Sequence, residues 1–227
     1  MRIYDRKKLK KIPFWKKLLL AITTIEGFYR YGSKVLTYLL YNIKFQGTEN
    51  IPDEGGAILI CNHISYVDGL IIHTASPRMV NFVIDEDIYN TTGIKYFMDI
   101  NGCIPITPNK ESVKKAIERI DEKLQDGELV CIFPEGVLTY TGNMSRFKFG
   151  IEWILNGAPD DTIVVPMALK GLWGSIFSRK HYRAKCKFIP KTFRRKVNLI
   201  CGKPITKENA KINHLQQVVM DLKNSID

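Results

Sequence analysis

Apolar and polar positions alternate along the chain with two different periods. Short, continuously apolar runs are typical of buried strands, and they occur at "AILIC" (57–61), "LVCIF" (129–133) and "TIVVPMAL" (162–169). Residues 109–126 instead place apolar side chains three and four positions apart, which predicts an amphipathic helix that ends at Gly127. Further strands are predicted at "NIKFQG", "MVNFVID", "GCIPIT" and "VNLICGKPI", and further helices at "VDGLIIHTA", "IYNTTGIKYFMD" and 209–226. This alternation predicts an α/β fold, a single domain with a mostly parallel or mixed sheet flanked by helices.

Residues 1–44 have a different pattern, and we separate them from a main domain at 45–227. Two apolar stretches, Leu18–Ile25 and Val35–Ile43, are shorter than the ~18–20 apolar residues that a membrane-spanning helix needs. Basic residues precede them, and the aromatic side chains among them include Trp15, Tyr31 and Tyr38. Such a segment predicts a membrane-interfacial helical hairpin. The alternative is a pair of helices packed on the protein's own core.

The net charge of +11 is concentrated in two parts of the chain. Residues 1–17 hold eight Lys/Arg and one Asp, a net +7, and residues 162–207 hold twelve Lys/Arg and no carboxylate, a net +12. An anionic membrane surface and a nucleic acid would both fit such patches. The sequence contains no nucleic-acid-binding motif, so we expect no nucleic acid and favour the membrane. The five cysteines have no CxxC spacing, and no cleavable signal peptide is recognised, so we expect reduced thiols and a cytoplasmic location.

Three polar segments follow predicted strands: "NHISYVDG", "TPNK" and "PEG". Ligands of α/β sheets gather beyond the carboxyl ends of the strands, so we expect these loops to converge if their strands are neighbours. His63 and Asp68 in the first loop suit a general base and the carboxylate that fixes its tautomer. A loop histidine near a helix-capping aspartate is the alternative for such a pair. A zinc site is disfavoured because Cys61 would point away from His63 on an extended strand. A serine hydrolase is disfavoured because the sequence contains no GxSxG motif.

The motifs "NHISYVDG", "GCIPITPNK", "FPEG" and "VVPMAL", in this order, resemble those of the glycerophospholipid acyltransferase family, which includes the 1-acylglycerol-3-phosphate acyltransferases. The resemblance covers roughly residues 45–205. It implies transfer of a fatty acyl group from acyl-CoA or acyl carrier protein to the hydroxyl of a lysoglycerophospholipid, without a metal or a resident cofactor. It makes His63 the general base and Asp68 its partner. Glu135 and Gly136 would lie at the acceptor site, and Ser65 is a further candidate for substrate binding.

The chain departs from the family at the residues that would hold the acceptor phosphate. Many phosphatidate-forming members have an arginine directly after "FPEG", where this chain has Val137, and "PITPNK" offers no arginine either. Lys110, Arg146 and Lys148 are the candidate substitutes, and each could equally be a solvated surface charge.

On the strength of the resemblance, we predict 1-acylglycerol-3-phosphate as the acceptor. The alternatives are a remodelling enzyme for another lysophospholipid, such as lysophosphatidylethanolamine, and a catalytically impaired lipid-binding module. The cationic residues of 170–207, among them Arg179 and Lys180, could attract anionic lipid or dock the acidic donor. The predicted location is the cytoplasmic face of the cell membrane, as a peripheral or monotopic protein.

Overall fold

The computed structural model describes residues 25–93, 95–181 and 194–226. Its helices are α1 (Ile25–Leu40), α2 (Asp68–Ala75), α3 (Glu86–Tyr89), α4 (Lys95–Ile100), α5 (Lys110–Gln125), α6 (Gly150–Gly157) and α7 (Ile212–Asn224). Its strands are β1 (Tyr41–Gln46), β2 (Ala57–Cys61), β3 (Val80–Asp85), β4 (Ile104–Ile106), β5 (Leu129–Ile132), β6 (Ile163–Lys170), β7 (Arg195–Cys201) and β8 (Ile205–Thr206).

The strands form one mixed sheet in the order β1-β7-β6-β2-β5-β3-β4, with β8 paired to β6. Strands β6, β2, β5, β3 and β4 are all parallel to one another, so their carboxyl ends lie along one edge. Strands β7 and β8 run antiparallel to β6, and β1 runs parallel to β7. The predicted α/β fold with a mixed sheet flanked by helices is confirmed.

Both faces of the sheet are covered by apolar side chains. Along β2, Ile58 and Ile60 join one buried cluster, while Leu59 and Cys61 join the other. Helices α5, α6 and α7 cover the first cluster, and α2 supplies side chains to the second. Burial on both faces explains why the central strands are continuously apolar in the sequence.

The segment predicted as a membrane hairpin is only partly within the described residues. Residues 18–24, most of its first apolar stretch, lie outside them, as does Trp15. The second stretch is divided: α1 ends at Leu40, and Tyr41, which is buried, begins strand β1. The proposed boundary after residue 44 therefore falls inside β1, which is paired along its whole length with β7. The strand predicted at "NIKFQG" (42–47) matches β1 to within one residue, but the apolar run continues from the helix into the strand and obscures where the helix ends.

Helix α1 packs one side on the domain and exposes the other. Ser33 and Thr37 are buried, and the Thr74 hydroxyl of α2 lies 3.3 Å from that of Thr37. The exposed side is largely apolar: Tyr31, Val35, Leu36, Tyr38 and Leu39. Within the described ranges, no helix has the length and apolar character required to cross a bilayer.

Two other predicted elements differ in detail. The segment around "IYNTTGIKYFMD" forms two short helices, α3 and α4, rather than one. Strand β4 lies at the edge of the sheet and is separated from β5 by β3. The loop "TPNK" after β4 is therefore not adjacent to the loop after β5, so only two of the three polar loops follow neighbouring strands.

Candidate active site

The loops after the neighbouring strands β2 and β5 meet at the carboxyl edge of the sheet. The first begins with Asn62, whose side-chain amide exchanges two hydrogen bonds with the backbone of Leu169 at the end of β6, at 2.8 and 3.0 Å. On the other side, the backbone N–H of Thr139 donates to the His63 carbonyl at 3.0 Å. The backbone at His63 is thus held from β6, through Asn62, and from the loop after β5, through Thr139.

His63 and Asp68 form a direct pair. The Nδ1 atom of His63 lies 2.8 Å from Oδ2 of Asp68, and the same oxygen accepts the backbone N–H groups of Ile64 at 2.6 Å and Ser65 at 2.9 Å. Asp68 is fully buried and is the first residue of α2, where the helix dipole stabilises a negative charge. The carboxylate is held rigidly against one edge of the imidazole, and a base with its orienting group has this geometry.

The outer edge of the His63 ring remains accessible. Its side chain is 23% exposed, and no described residue forms a hydrogen bond with Nε2. The ring of Phe133, from the end of β5, stacks on the imidazole with centroids 4.1 Å apart and planes 15° apart. This stack and the Asp68 hydrogen bond together restrict ring rotation, so Nε2 points away from the carboxylate. The sequence places Phe133 at the end of the predicted strand "LVCIF" and contains no local signal for this contact, which was not predicted.

Glu135 links the two loops. Its Oε1 accepts the backbone N–H of His63 at 2.7 Å, and its Oε2 accepts the backbone N–H of Ser145 at 2.6 Å. The side chain is 1% exposed, and burial raises the pKa of its carboxyl although these two N–H donors lower it. Both oxygens are therefore engaged with the backbone, and the carboxylate ties the "FPEG" turn to the histidine loop.

Gly136 occupies a turn that requires glycine. Its φ is +65°, and a Cβ atom there would lie 2.8–3.0 Å from the Nζ, Cδ and Cε atoms of Lys148. The Lys148 side chain thus covers the turn, and its backbone N–H donates to the Pro134 carbonyl at 2.8 Å. Lys148 is the one of the three predicted phosphate-binding residues that contacts this turn.

The other predicted site residues occupy different positions. Arg146 is exposed and follows Ser145, while Lys110 is exposed at the start of α5, beyond the edge strand β4. Ser65 is fully buried, and its hydroxyl accepts the backbone N–H of Val67 at 3.4 Å. The structure thus brings His63, Asp68, Glu135, Gly136, Ser65 and Lys148 together and leaves Lys110 apart.

The cysteines of the described residues are poorly suited to nucleophilic catalysis. Cys61, Cys103, Cys131 and Cys201 are free and buried. Burial raises the pKa of the Cys61 and Cys131 thiols well above the usual value, and raises the pKa of Cys103 to about 11 and that of Cys201 to about 12. A buried thiol with a raised pKa supplies little thiolate at neutral pH.

The fold of this chain is shared by a protein of known structure. The crystal structure of the 1-acyl-sn-glycerophosphate (LPA) acyltransferase PlsC from Thermotoga maritima has a TM-score of 0.67 to this chain at 19% sequence identity, covering 93% of this chain and 88% of that one. At this identity the similarity shows the shared fold. The Acyltransferase family model matches residues 42–170, more than half of the chain. The chain therefore belongs to the acyltransferase family.

Two relatives show similarity at the level of sequence. The chloroplastic 1-acyl-sn-glycerol-3-phosphate acyltransferase of Arabidopsis thaliana is 28% identical over 143 residues, which is 61% of this chain and 39% of that protein. The 1-acyl-sn-glycerol-3-phosphate acyltransferase of Bacillus subtilis is 26% identical over 110 residues, which is 47% of this chain and 53% of that protein. The matches thus span about two-fifths to one-half of the length of these relatives.

Proposed function

We propose that this protein transfers a fatty acyl group from an acyl thioester to the hydroxyl of a lysoglycerophospholipid, with 1-acylglycerol-3-phosphate as the acceptor. The observation that carries this proposal is the 2.8 Å contact between His63 Nδ1 and the buried Asp68, with Nε2 left for a substrate. The names of the sequence relatives support the choice of acceptor. The donor is acyl-CoA or the acyl thioester of acyl carrier protein, and the proposed reaction uses these two substrates and no cofactor.

The proposed reaction begins with proton transfer from the acceptor hydroxyl to Nε2 of His63. Asp68 accepts the Nδ1–H hydrogen bond and so stabilises the imidazolium that forms. The acceptor oxygen attacks the thioester carbonyl, and a tetrahedral oxyanion forms. Collapse of this intermediate forms the ester and breaks the C–S bond, and the departing thiolate takes the proton back from Nε2. Direct attack avoids an acyl-enzyme, which agrees with the buried cysteines of the described residues.

We assign Glu135 a positioning role in this mechanism. Its two oxygens accept hydrogen bonds from the backbone of His63 and of Ser145, so the carboxylate acts on the shape of the site. The acceptor would enter beside the "FPEG" turn, where Gly136 leaves space for the Lys148 side chain. Lys148 can serve the acceptor as a point charge.

We further propose that the protein works at an anionic membrane surface, on its cytoplasmic face. The exposed apolar side of α1 supports this, as Leu36 and Leu39 are 48% and 62% exposed. A second group of exposed residues follows the "FPEG" turn and combines two cations with two aromatic rings: Arg146, Lys148, Phe149 and Trp153. Apolar area together with basic charge is what binds a protein to the interface of an anionic bilayer.

The experiment is a product analysis by mass spectrometry. The purified full-length protein is incubated in vesicles with each of three acceptors, lysophosphatidate, lysophosphatidylethanolamine and monoacylglycerol, and with acyl-CoA or acyl carrier protein as donor. We expect phosphatidate as the main product. Preferential acylation of lysophosphatidylethanolamine would replace the proposed acceptor, and no transfer with any pair would favour a lipid-binding role.

A further inference from the structure

Arg179 lies beside the candidate active site with a guanidinium that lacks an anionic partner among the described residues. It follows the short loop in which Ser178 forms a backbone bridge with Ser65, and the backbone N–H of Tyr66 donates to the Phe177 carbonyl at 3.2 Å. This loop therefore runs alongside the segment that joins His63 to Asp68. Arg179 begins the 3₁₀ turn Arg179–His181 that leaves this contact.

The guanidinium is held in place by an aromatic ring from the opposite loop. The Cζ atom of Arg179 lies 4.5 Å from the ring centroid of Tyr140, whose side chain is 72% exposed. Tyr140 directly follows Thr139, the residue whose N–H donates to the His63 carbonyl. The stacked pair thus joins two segments that each contact the histidine loop.

The backbone around Tyr140 is itself well ordered by hydrogen bonds. The Thr139 hydroxyl donates to the Asn143 carbonyl at 2.6 Å and accepts the N–H of Gly142 at 3.0 Å. Gly142 has a φ of +88°, and a Cβ atom there would lie 2.7 Å from the Trp173 ring, so this turn lies against the segment that leads to Arg179. The Arg179–Tyr140 stack is therefore built on two segments in contact.

The charge of Arg179 is not neutralised by any described residue. It forms no ion pair with a described carboxylate, and its buried Nη1 atom has no hydrogen-bond partner within the ranges that the structure describes. Residues 182–193, which follow it in the chain, contain no Asp or Glu. Burial of a charged donor without an acceptor is unfavourable, so this geometry suits an anion supplied from outside the protein.

The position of Arg179 indicates which anion this is, because its segment contacts the loop that joins His63 to Asp68. In the proposed acceptor the phosphate is on the carbon next to the one that bears the reacting hydroxyl, whereas the phosphates of coenzyme A are far from its thioester. We propose that Arg179, supported by the Tyr140 ring, binds the phosphate of the acceptor lipid and so determines its specificity. The guanidinium can bind two phosphate oxygens at once, which a lysine cannot do. This inference rests on the proposed function.

The test measures how the acceptor and donor KM values respond to Arg179→Ala and Arg179→Lys in the full-length protein. Loss of a charged hydrogen-bonding pair predicts an increase of about 10- to 100-fold in the KM for lysophosphatidate, with the acyl-CoA KM unchanged. Arg179→Lys should give a smaller increase, because the charge remains and the bidentate geometry is lost. Lys114→Ala is the control, since Lys114 is an 80% exposed cation on α5, outside the loops of the site, and it should leave both KM values unchanged.

Two further measurements separate binding of the acceptor phosphate from other roles. Monoacylglycerol lacks the phosphate, so both proteins should acylate it more slowly than lysophosphatidate. The rate of monoacylglycerol acylation should be the same for Arg179→Ala and for the wild type. Tyr140→Leu should raise the lysophosphatidate KM about 2- to 5-fold through loss of the cation–π contact, while Tyr140→Phe should not.

Four results would overturn the inference. If Arg179→Ala raised only the acyl-CoA KM, Arg179 would bind the donor phosphates. If this variant lost as much acylation rate with monoacylglycerol as with lysophosphatidate, Arg179 would have a structural role. Unchanged lysophosphatidate kinetics in Arg179→Ala would reject the inference while leaving the proposed function intact. A wild-type protein that acylates none of these acceptors would reject both.

Discussion

The substitution Asp68→Asn tests how much of the catalysis depends on the buried carboxylate. The asparagine side chain has nearly the same shape, and its amide oxygen can still accept the N–H groups of Ile64 and Ser65. The negative charge beside the His63 imidazolium is lost. Two unit charges about 4 Å apart interact by about 4 kcal/mol at an effective dielectric constant of about 20, a value suited to a partly exposed pair. This corresponds to a decrease of about 10³-fold in rate.

The decrease should fall on kcat, because Asp68 is fully buried behind His63 and acts through it. The assay follows release of the coenzyme A thiol at saturating and at limiting lysophosphatidate, and thermal unfolding shows whether the variant remains folded. Asp161→Asn is the matched control, because Asp161 is exposed just before β6. If Asp68→Asn unfolds like the wild type and retains more than about a tenth of the wild-type kcat, Asp68 does not act by electrostatic stabilisation of the imidazolium.

Two further predictions concern the loops and the membrane surface. Glu135→Gln leaves one of the N–H groups of His63 and Ser145 without an acceptor, which should destabilise the fold by about 1–3 kcal/mol in urea unfolding. Burial raises the pKa of Glu135 in the folded protein, so the free energy of unfolding of the wild type should fall as the pH rises above about 4.5 and through the folded pKa. The Gln variant does not titrate at this position, so the difference in free energy of unfolding between the two proteins should narrow over the same range. The double substitution Leu36→Glu and Leu39→Glu should weaken sedimentation with anionic vesicles, because it places charge on the exposed apolar side of α1.

These two predictions have clear contrary outcomes. An advantage of the wild type over Glu135→Gln that widens between about pH 4 and pH 7 would contradict the inferred effect of burial. For the membrane, Tyr96→Glu is the control, since Tyr96 is 70% exposed on α4, away from α1. Equal sedimentation of this control and the α1 double variant would remove α1 from the membrane-binding surface.

The fold was predictable where the pattern of side chains reports burial directly. Strands β2 and β5 are buried on both faces, so their apolar runs were recognisable, and the amphipathic period of α5 gave its bounds to within one residue. The strand predicted at "NIKFQG" begins within one residue of β1, but the end of α1 was not predictable because Leu40 and Tyr41 are both apolar in character.

The candidate site was predictable only where its residues are close in sequence. His63 and Asp68 are five positions apart, so a turn into a helix was enough to suggest their contact. The stack of Phe133 on His63 depends on β5 lying next to β2, and the contact of Arg179 with Tyr140 depends on two separate loops. Such contacts are set by strand order, which local patterns do not encode.

The most direct test of the central claim is the rate of acyl transfer in His63→Ala, measured by mass spectrometry of phosphatidate formed from lysophosphatidate and a labelled acyl thioester. General-base catalysis contributes about 10²- to 10⁴-fold, so we expect the rate to fall by at least about 10²-fold in a variant that still unfolds cooperatively. A folded His63→Ala protein that forms phosphatidate at a rate within about threefold of the wild type would show that the imidazole is not the base.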